Sequence, residues 1–273
     1  MGTFAKRLGQ VAARSVETEG ARILQQSAAN KIEGSLAKAL DSTLHAGHDM
    51  STFGLGTAAS LASRARYGRF TQSMHAVYAA MERELDATCT AAPDAPTGLV
   101  WARHGDVLRR GDSLLADLGD VGLAAAASDS AATAAYLQRI QAAGEADRAD
   151  AAGSARLLGH VYCRYFADLF GGQMLGFPTA AALDLPAGTP RHYDFGFGQG
   201  SGCLGRRGTI EAVYASLNDA GEQLGDAGRA ACVEEALGAF AATVNVYAEE
   251  PMWADAARGA LNVAVGVVTG RGK

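Results

Sequence analysis

The chain has 273 residues, 48% hydrophobic and 19% charged, with 24 Lys and Arg against 29 Asp and Glu for a net charge of −5. A chain of that length buries a substantial core as one domain, and its mild acidity and scattered arginines exclude the basic stripe of a nucleic-acid binder. Cys89, Cys163, Cys203 and Cys232 fall without CxxC or zinc-ligand spacing, which predicts reduced thiols in a soluble intracellular protein (cytoplasm or organelle matrix) rather than a disulfide or zinc framework.

Residues 1–34 read as an N-terminal helical extension. Lys6, Arg7 and Arg14 lie on an apolar background there, but Glu17, Glu19 and Glu33 oppose a transit peptide. Gly34 and Ser35 mark a break, and residues 35–273 read as one domain. Arg66 to Ala87 forms an amphipathic helix with Phe70, Met74, Val77, Met81 and Leu85 along one face. Ala91–Gly98 (AAPDAPTG) is predicted as a loop by its prolines, aspartate and glycine. Val107 to Leu118 is expected to be helical, and the alanine-rich stretch Leu123–Ala155 to hold one or two helices.

Pro186–Gly208 is the main non-helical interruption. Its FGFGQGSGCLG run lacks the GxGxxG pattern feeding a helix in a βαβ context, so it reads as a flexible loop, not a phosphate cradle. Thr209–Leu217 and Arg229–Tyr247 resume helical patterning. The apolar run Ala260–Val268 is shorter than the roughly 18 residues of a membrane span, so no span is predicted. No stretch alternates as a strand would. The expected fold is all-α, a single-domain helical bundle.

The sixteen residues His160–Leu175, HVYCRYFADLFGGQML, carry the functional signal. Gly171 and Gly172 would each weaken a helix by roughly 1 kcal/mol relative to alanine, so the pair implies a bend or the close approach of something flat. Tyr162, Tyr165, Phe166 and Asp168 just before them supply an apolar wall with a few polar contacts. A helix bent at glycines beside aromatics and one carboxylate covers a planar macrocycle. Arg164 and Asp168, four residues apart, are also placed to pair on one helix.

This stretch resembles the distal-helix signature of heme oxygenases, HxYTRYLGDLSGGQxL. Leu36–His45 (LAKALDSTLH) resembles the family's proximal helix and Tyr78–Asp86 (YAAMERELD) its next helix, with ALDLP at 182–186, Tyr214–Asn218 and Val233–Tyr247 following in order. The resemblance covers about residues 35–270. It implies a heme oxygenase-like helical bundle that uses dioxygen and reducing electrons to open heme to biliverdin, carbon monoxide and ferrous iron, heme being both substrate and cofactor. A ferredoxin or flavoprotein reductase is the implied electron donor.

Residue by residue, the resemblance makes His45 the axial iron ligand, with His48 one turn later as competitor. Asp168 organises distal water, with Tyr78 and Arg164 holding that network. Lys38 and Tyr162 contact the heme carboxylates. Ala167, Gly171 and Gly172 border the heme face. His75, His104, His160 and His192 are assigned structural roles. The chain departs from the pattern at Ala167 (usually glycine) and Phe170 (usually serine), and at Glu211 and Ala215, where the family carries Lys and Arg. Arg206 and Arg207, about one turn earlier, are candidate substitutes. Those departures support an alternative, a non-catalytic heme oxygenase-like binding, regulatory or assembly subunit working in a protein complex. Dinuclear-iron chemistry on a related helical fold is a third reading, for which no complete ligand set is evident.

Overall fold

The computed structural model describes residues 27–47, 50–123, 128–186, 188–197 and 204–271, with side chains except those of 44–47, 50–52 and 173. The expected extension at 1–34 therefore lies largely outside the described residues; the end of it that is described forms a 3-10 turn at Ala29–Lys31. The helices follow as α1 (Leu36–Gly47), α2 (Met50–Ser60), α3 (Arg64–Ala91), α4 (Pro96–Leu108), α5 (Gly111–Asp120), α6 (Ala131–Ala149) and α7 (Arg156–Ala167). After a π-helical turn at Asp168–Gly172 come α8 (Gln173–Leu183), α9 (Arg206–Gln223), α10 (Asp226–Ala248) and α11 (Trp253–Thr269). Among the described residues there is no strand and no helix long and apolar enough to cross a membrane. The fold is the all-α helical bundle expected.

Local chemistry sets where the helices begin. Ser63 caps α3 by accepting the Arg66 N–H at 3.2 Å, and Ser130 caps α6 by accepting the Thr133 N–H at 2.8 Å. Pro96 at the first turn of α4 costs no hydrogen bond and fixes φ for the helix, so the predicted loop 91–98 shortens to the few residues before it. The helix expected over Val107–Leu118 is instead broken at Arg109–Arg110. There the Glu82 carboxylate accepts the N–H groups of Arg110 and Gly111 at 2.6 and 3.0 Å, starting α5 as a new helix. The Arg110 side chain donates to the carbonyls of Val107, Leu108 and Asp194, stabilising the corner.

Helix α7 runs through the middle of the bundle, packed on α10, α6, α4 and α3. Asp147, buried at the end of α6, starts it by accepting the Arg156 and Leu157 N–H groups at 2.7 and 3.0 Å, and it also accepts the Thr97 and Ser154 hydroxyls. Leu157, Leu158, Val161, Tyr165 and Phe166 are buried in the main core with Met81, Leu85, Tyr136 and Val213. Gly159 lets α7 and α10 cross closely, since a Cβ there would stand 2.6 Å from the Cys232 carbonyl oxygen and 2.7 Å from the Ala236 nitrogen.

One turn of α7 is pinned to α10 by charge. His160, fully buried, lies 3.0 Å through Nε2 from Glu235, whose carboxylate also takes the Arg139 Nε–H at 2.5 Å and has Arg156 at 3.6 Å. Burial alone would raise the Glu235 pKa, but the His160 and Arg139 contacts outweigh it and hold the carboxyl below its ordinary range. Its stabilisation is therefore present above the usual carboxylate pKa of 4.5 and lost as pH falls through the lowered value. Glu235→Gln is expected to cost about 3 kcal/mol in urea unfolding at pH 7, as breaking a buried ion pair does. The gap to the unmutated chain should shrink on acidification below pH 4.5; a gap independent of pH would show that the carboxylate charge contributes nothing.

Candidate functional site

The C-terminal end of α7 does not simply kink at its glycines. It widens into the five-residue π-helical turn Asp168–Gly172, an arrangement that occurs frequently at functional sites. Gly172 has a packing reason to lack a side chain. A Cβ would stand 2.6 Å from Cδ1 of Tyr193, whose ring comes from the 3-10 turn Arg191–Tyr193. That turn is held by Asp117 of α5, which accepts the Arg191 and His192 N–H groups at 2.7 and 3.0 Å and contacts His192 Nδ1 at 2.7 Å.

Asp168, the first residue of the turn, is buried. The Tyr78 hydroxyl from α3 donates to it, and the Arg164 guanidinium lies 3.4 Å from that same hydroxyl. The expected Arg164–Asp168 pairing thus runs through Tyr78. Burial opposes the charge on Arg164, but the Tyr78 phenol and the Asp168 carboxylate raise its pKa well above the usual value. Burial likewise pushes the Tyr78 phenol well up, so it stays a proton donor to Asp168. The Arg164 Nε–H is buried without a protein partner, so it keeps unused hydrogen-bonding capacity. The thiol of Cys163 is pushed up to about 12, chiefly by burial, and stays protonated.

The wall beside this turn is aromatic. Tyr162 and Phe166 stack with centroids 5.0 Å apart, Phe166 meets Tyr214 of α9 at 4.7 Å, and Phe170 joins both at 5.6 and 6.2 Å. The Tyr162 hydroxyl donates to Asp41 of α1 at 2.8 Å, so this hydrogen bond ties α7 to α1. His45 occupies the position one turn beyond Asp41 in α1; its side chain, like all of His48, lies outside the described set. Lys38, half-exposed, is 3.6 Å from Glu33. Glu211 accepts the Ala29 N–H at 2.8 Å, and Ala215 is exposed.

The model of the family described as heme oxygenase matches residues 35–249. The chain belongs to the heme oxygenase family. Its fold is similar to the heme oxygenase of Leptospira interrogans (24% identical, TM-score 0.60, 79% of this chain and 100% of the other). It is also similar to heme oxygenase-1 of Synechocystis sp. PCC 6803, solved in complex with heme (23%, TM-score 0.61, 79% and 91%). Heme oxygenase 2 of Chlamydomonas reinhardtii, solved without heme, aligns as well (19%, TM-score 0.61, 80% and 98%). A search of curated proteins finds no match. At these identities the likeness to solved structures speaks for the fold alone.

Within that family pattern, the structure brings Tyr78, Arg164 and Asp168 together and puts Gly171 and Gly172 on the turn that follows. Phe170 repacks against Phe166 and Tyr214, and Ala167 is half-buried beside it. His160 pairs with Glu235, His192 with Asp117 and His104 with Ser216, the structural roles expected of them. Asp41, Tyr193 and Arg206 were not singled out for the contacts they make. Among the described residues no His, Cys, Asp and Glu side chains gather into a group that could hold a metal ion. A cleft of about 420 Å³ elsewhere, between α3 and the end of α10, is lined by Arg66, Phe70, Ser73 and Tyr247, but its arginines are taken up by Asp255 and Glu250.

Gly172→Ala should therefore destabilise the chain by about 2 kcal/mol through overpacking against Tyr193. In combination with Tyr193→Ala the cost should be clearly less than the sum of the two single changes, measured by urea unfolding. Strict additivity would show that the two residues do not share one packing site.

Proposed function

We propose that this chain binds heme between α1 and the π-helical turn and opens it, with dioxygen and electrons from a ferredoxin or flavoprotein reductase, to biliverdin, carbon monoxide and ferrous iron. The observation that carries this reading is the buried Asp168, hydrogen-bonded by Tyr78 at the start of a π-helical turn that ends in Gly171 and Gly172. Membership of the heme oxygenase family and the shared fold support it.

The residues present fit the group. The Arg164 Nε–H and the carboxylate of Asp168 suit ordered water, Gly171 puts no side chain on the turn, and α1 carries an imidazole at His45, whereas the Cβ side of Gly172 is taken by Tyr193. When bound, heme supplies the iron that activates dioxygen against its own ring. His45 would hold the iron as a neutral imidazole. Asp168 would accept a hydrogen bond from distal water and move protons through it, with Tyr78 fixing its orientation and Arg164 placing positive charge behind Tyr78. The aromatic wall of Phe166, Phe170 and Tyr214 would exclude bulk water from one side. Lys38 and Tyr162 would receive the heme carboxylates, exchanging Glu33 and Asp41 for them.

That exchange motivates the second reading, a non-catalytic binding, regulatory or assembly subunit. Both carboxylate-binding groups are already paired with acids of this chain, and Glu211 adds a further carboxylate where the family carries a cation. An absorption titration with hemin, followed by reduction in air, separates the two. The enzyme reading predicts saturable 1:1 binding and a bile pigment, with Asp168→Asn slowing ring opening about a hundredfold and His45→Ala changing the iron spectrum. Saturable binding without pigment establishes the second reading, and absence of binding overturns both.

A further inference from the structure

A widened helical turn leaves main-chain carbonyls poorly placed for their usual helical partners, and those carbonyls need donors. At the distal turn the donor comes from another helix. Arg206, the first residue of α9, directs its Nε–H to the Leu169 carbonyl at 2.6 Å and an Nη–H to the Phe170 carbonyl. A guanidinium presents parallel N–H groups in a fixed fork, so it spans two successive carbonyls where a lysine reaches one. The bonds are charge-assisted and half-buried, which makes them stronger than ordinary amide contacts.

The turn is thus held from two directions, by the Tyr193 ring against Gly172 and by Arg206 against the two residues that follow Asp168. α9 adds a further contact, since Tyr214 packs on Phe166 and Phe170. Arg206 was a candidate to replace the cations missing at 211 and 215, yet its guanidinium is turned onto the main chain of the distal wall. Arg207 beside it is exposed.

We propose that Arg206 is a positioning residue for the distal wall, clamping the π-helical turn so that Asp168 keeps its bond to Tyr78 and the Gly171–Gly172 main chain keeps its place. What the wall is positioned for rests on the heme reading above; the clamp itself does not. Releasing it frees two carbonyls one and two residues beyond Asp168, so the carboxylate and the water it orders shift together.

The direct test is hydrogen exchange of the full chain without hemin, comparing the unmutated protein with Arg206→Met and Arg206→Lys. Exchange in peptides covering 168–176 should accelerate about tenfold in R206M, the loss of a charge-assisted bond appearing as local opening. R206K should fall between the two, and α6 peptides should be unchanged. Unchanged exchange at 168–176 in R206M overturns the proposal. So does an equal rise in α6, which would make Arg206 a general support of the fold. Because no hemin is present, this result stands whether or not the heme reading does. In the hemin complex, the pH midpoint of the absorption spectrum should move in R206M and return partway in R206K. An unmoved midpoint would separate Arg206 from Asp168.

Discussion

Bare main chain on a protein wall has to be supported from behind, and that constraint organises this bundle. Gly171 and Gly172 carry no side chains, and the helix there widens into a π-helical turn instead of continuing. The space a Gly172 side chain would enter is filled by Tyr193, which depends on a 3-10 turn anchored by Asp117. The corner that lets α5 present Asp117 is itself made by Glu82 accepting two N–H groups and by Arg110 donating to carbonyls on both sides of it. A segment of five residues thus draws on contacts from α3, α5, the 3-10 turn and α9.

The electrostatics follow from burial. A buried carboxylate needs hydrogen-bond partners, and at Asp168 the Tyr78 hydroxyl donates directly while the Arg164 guanidinium lies one step further away. Arg164 is left with an unpartnered Nε–H, the kind of buried donor that ordered water satisfies. On the opposite edge the balance is reversed. Asp41 accepts the Tyr162 hydroxyl, Glu33 lies 3.6 Å from Lys38, and Glu211 docks the chain at Ala29. An anionic ligand at Lys38 or Tyr162 would have to compete with Glu33 and Asp41.

Much of the helical layout was legible because burial on one face leaves a 3.6-residue period. Arg66–Ala87 grew only slightly, to Arg64–Ala91. The helix expected over Val107–Leu118 failed because the break comes from Glu82, 28 residues from Arg110, and local periodicity carries no trace of it. At the site, Tyr78, Arg164 and Asp168 were found through resemblance to a motif, and the structure joins them. Asp41 and Arg206 were not read in the roles they play, since their contacts bridge 121 and 37 residues. The paired glycines signalled a distortion but not its form, because a kink and a π-helical turn make the same demand on composition.

The central claim is that a flat tetrapyrrole sits against the main chain of Gly171 and Gly172 with its iron toward His45. A crystal structure of the chain with hemin tests it most directly. The account predicts the macrocycle between α1 and the π-helical turn, with the His45 imidazole on iron and Asp168 still bonded to Tyr78. Hemin bound in another cleft, or held by another residue with the side chains of α1 and α7 packed together, would contradict it.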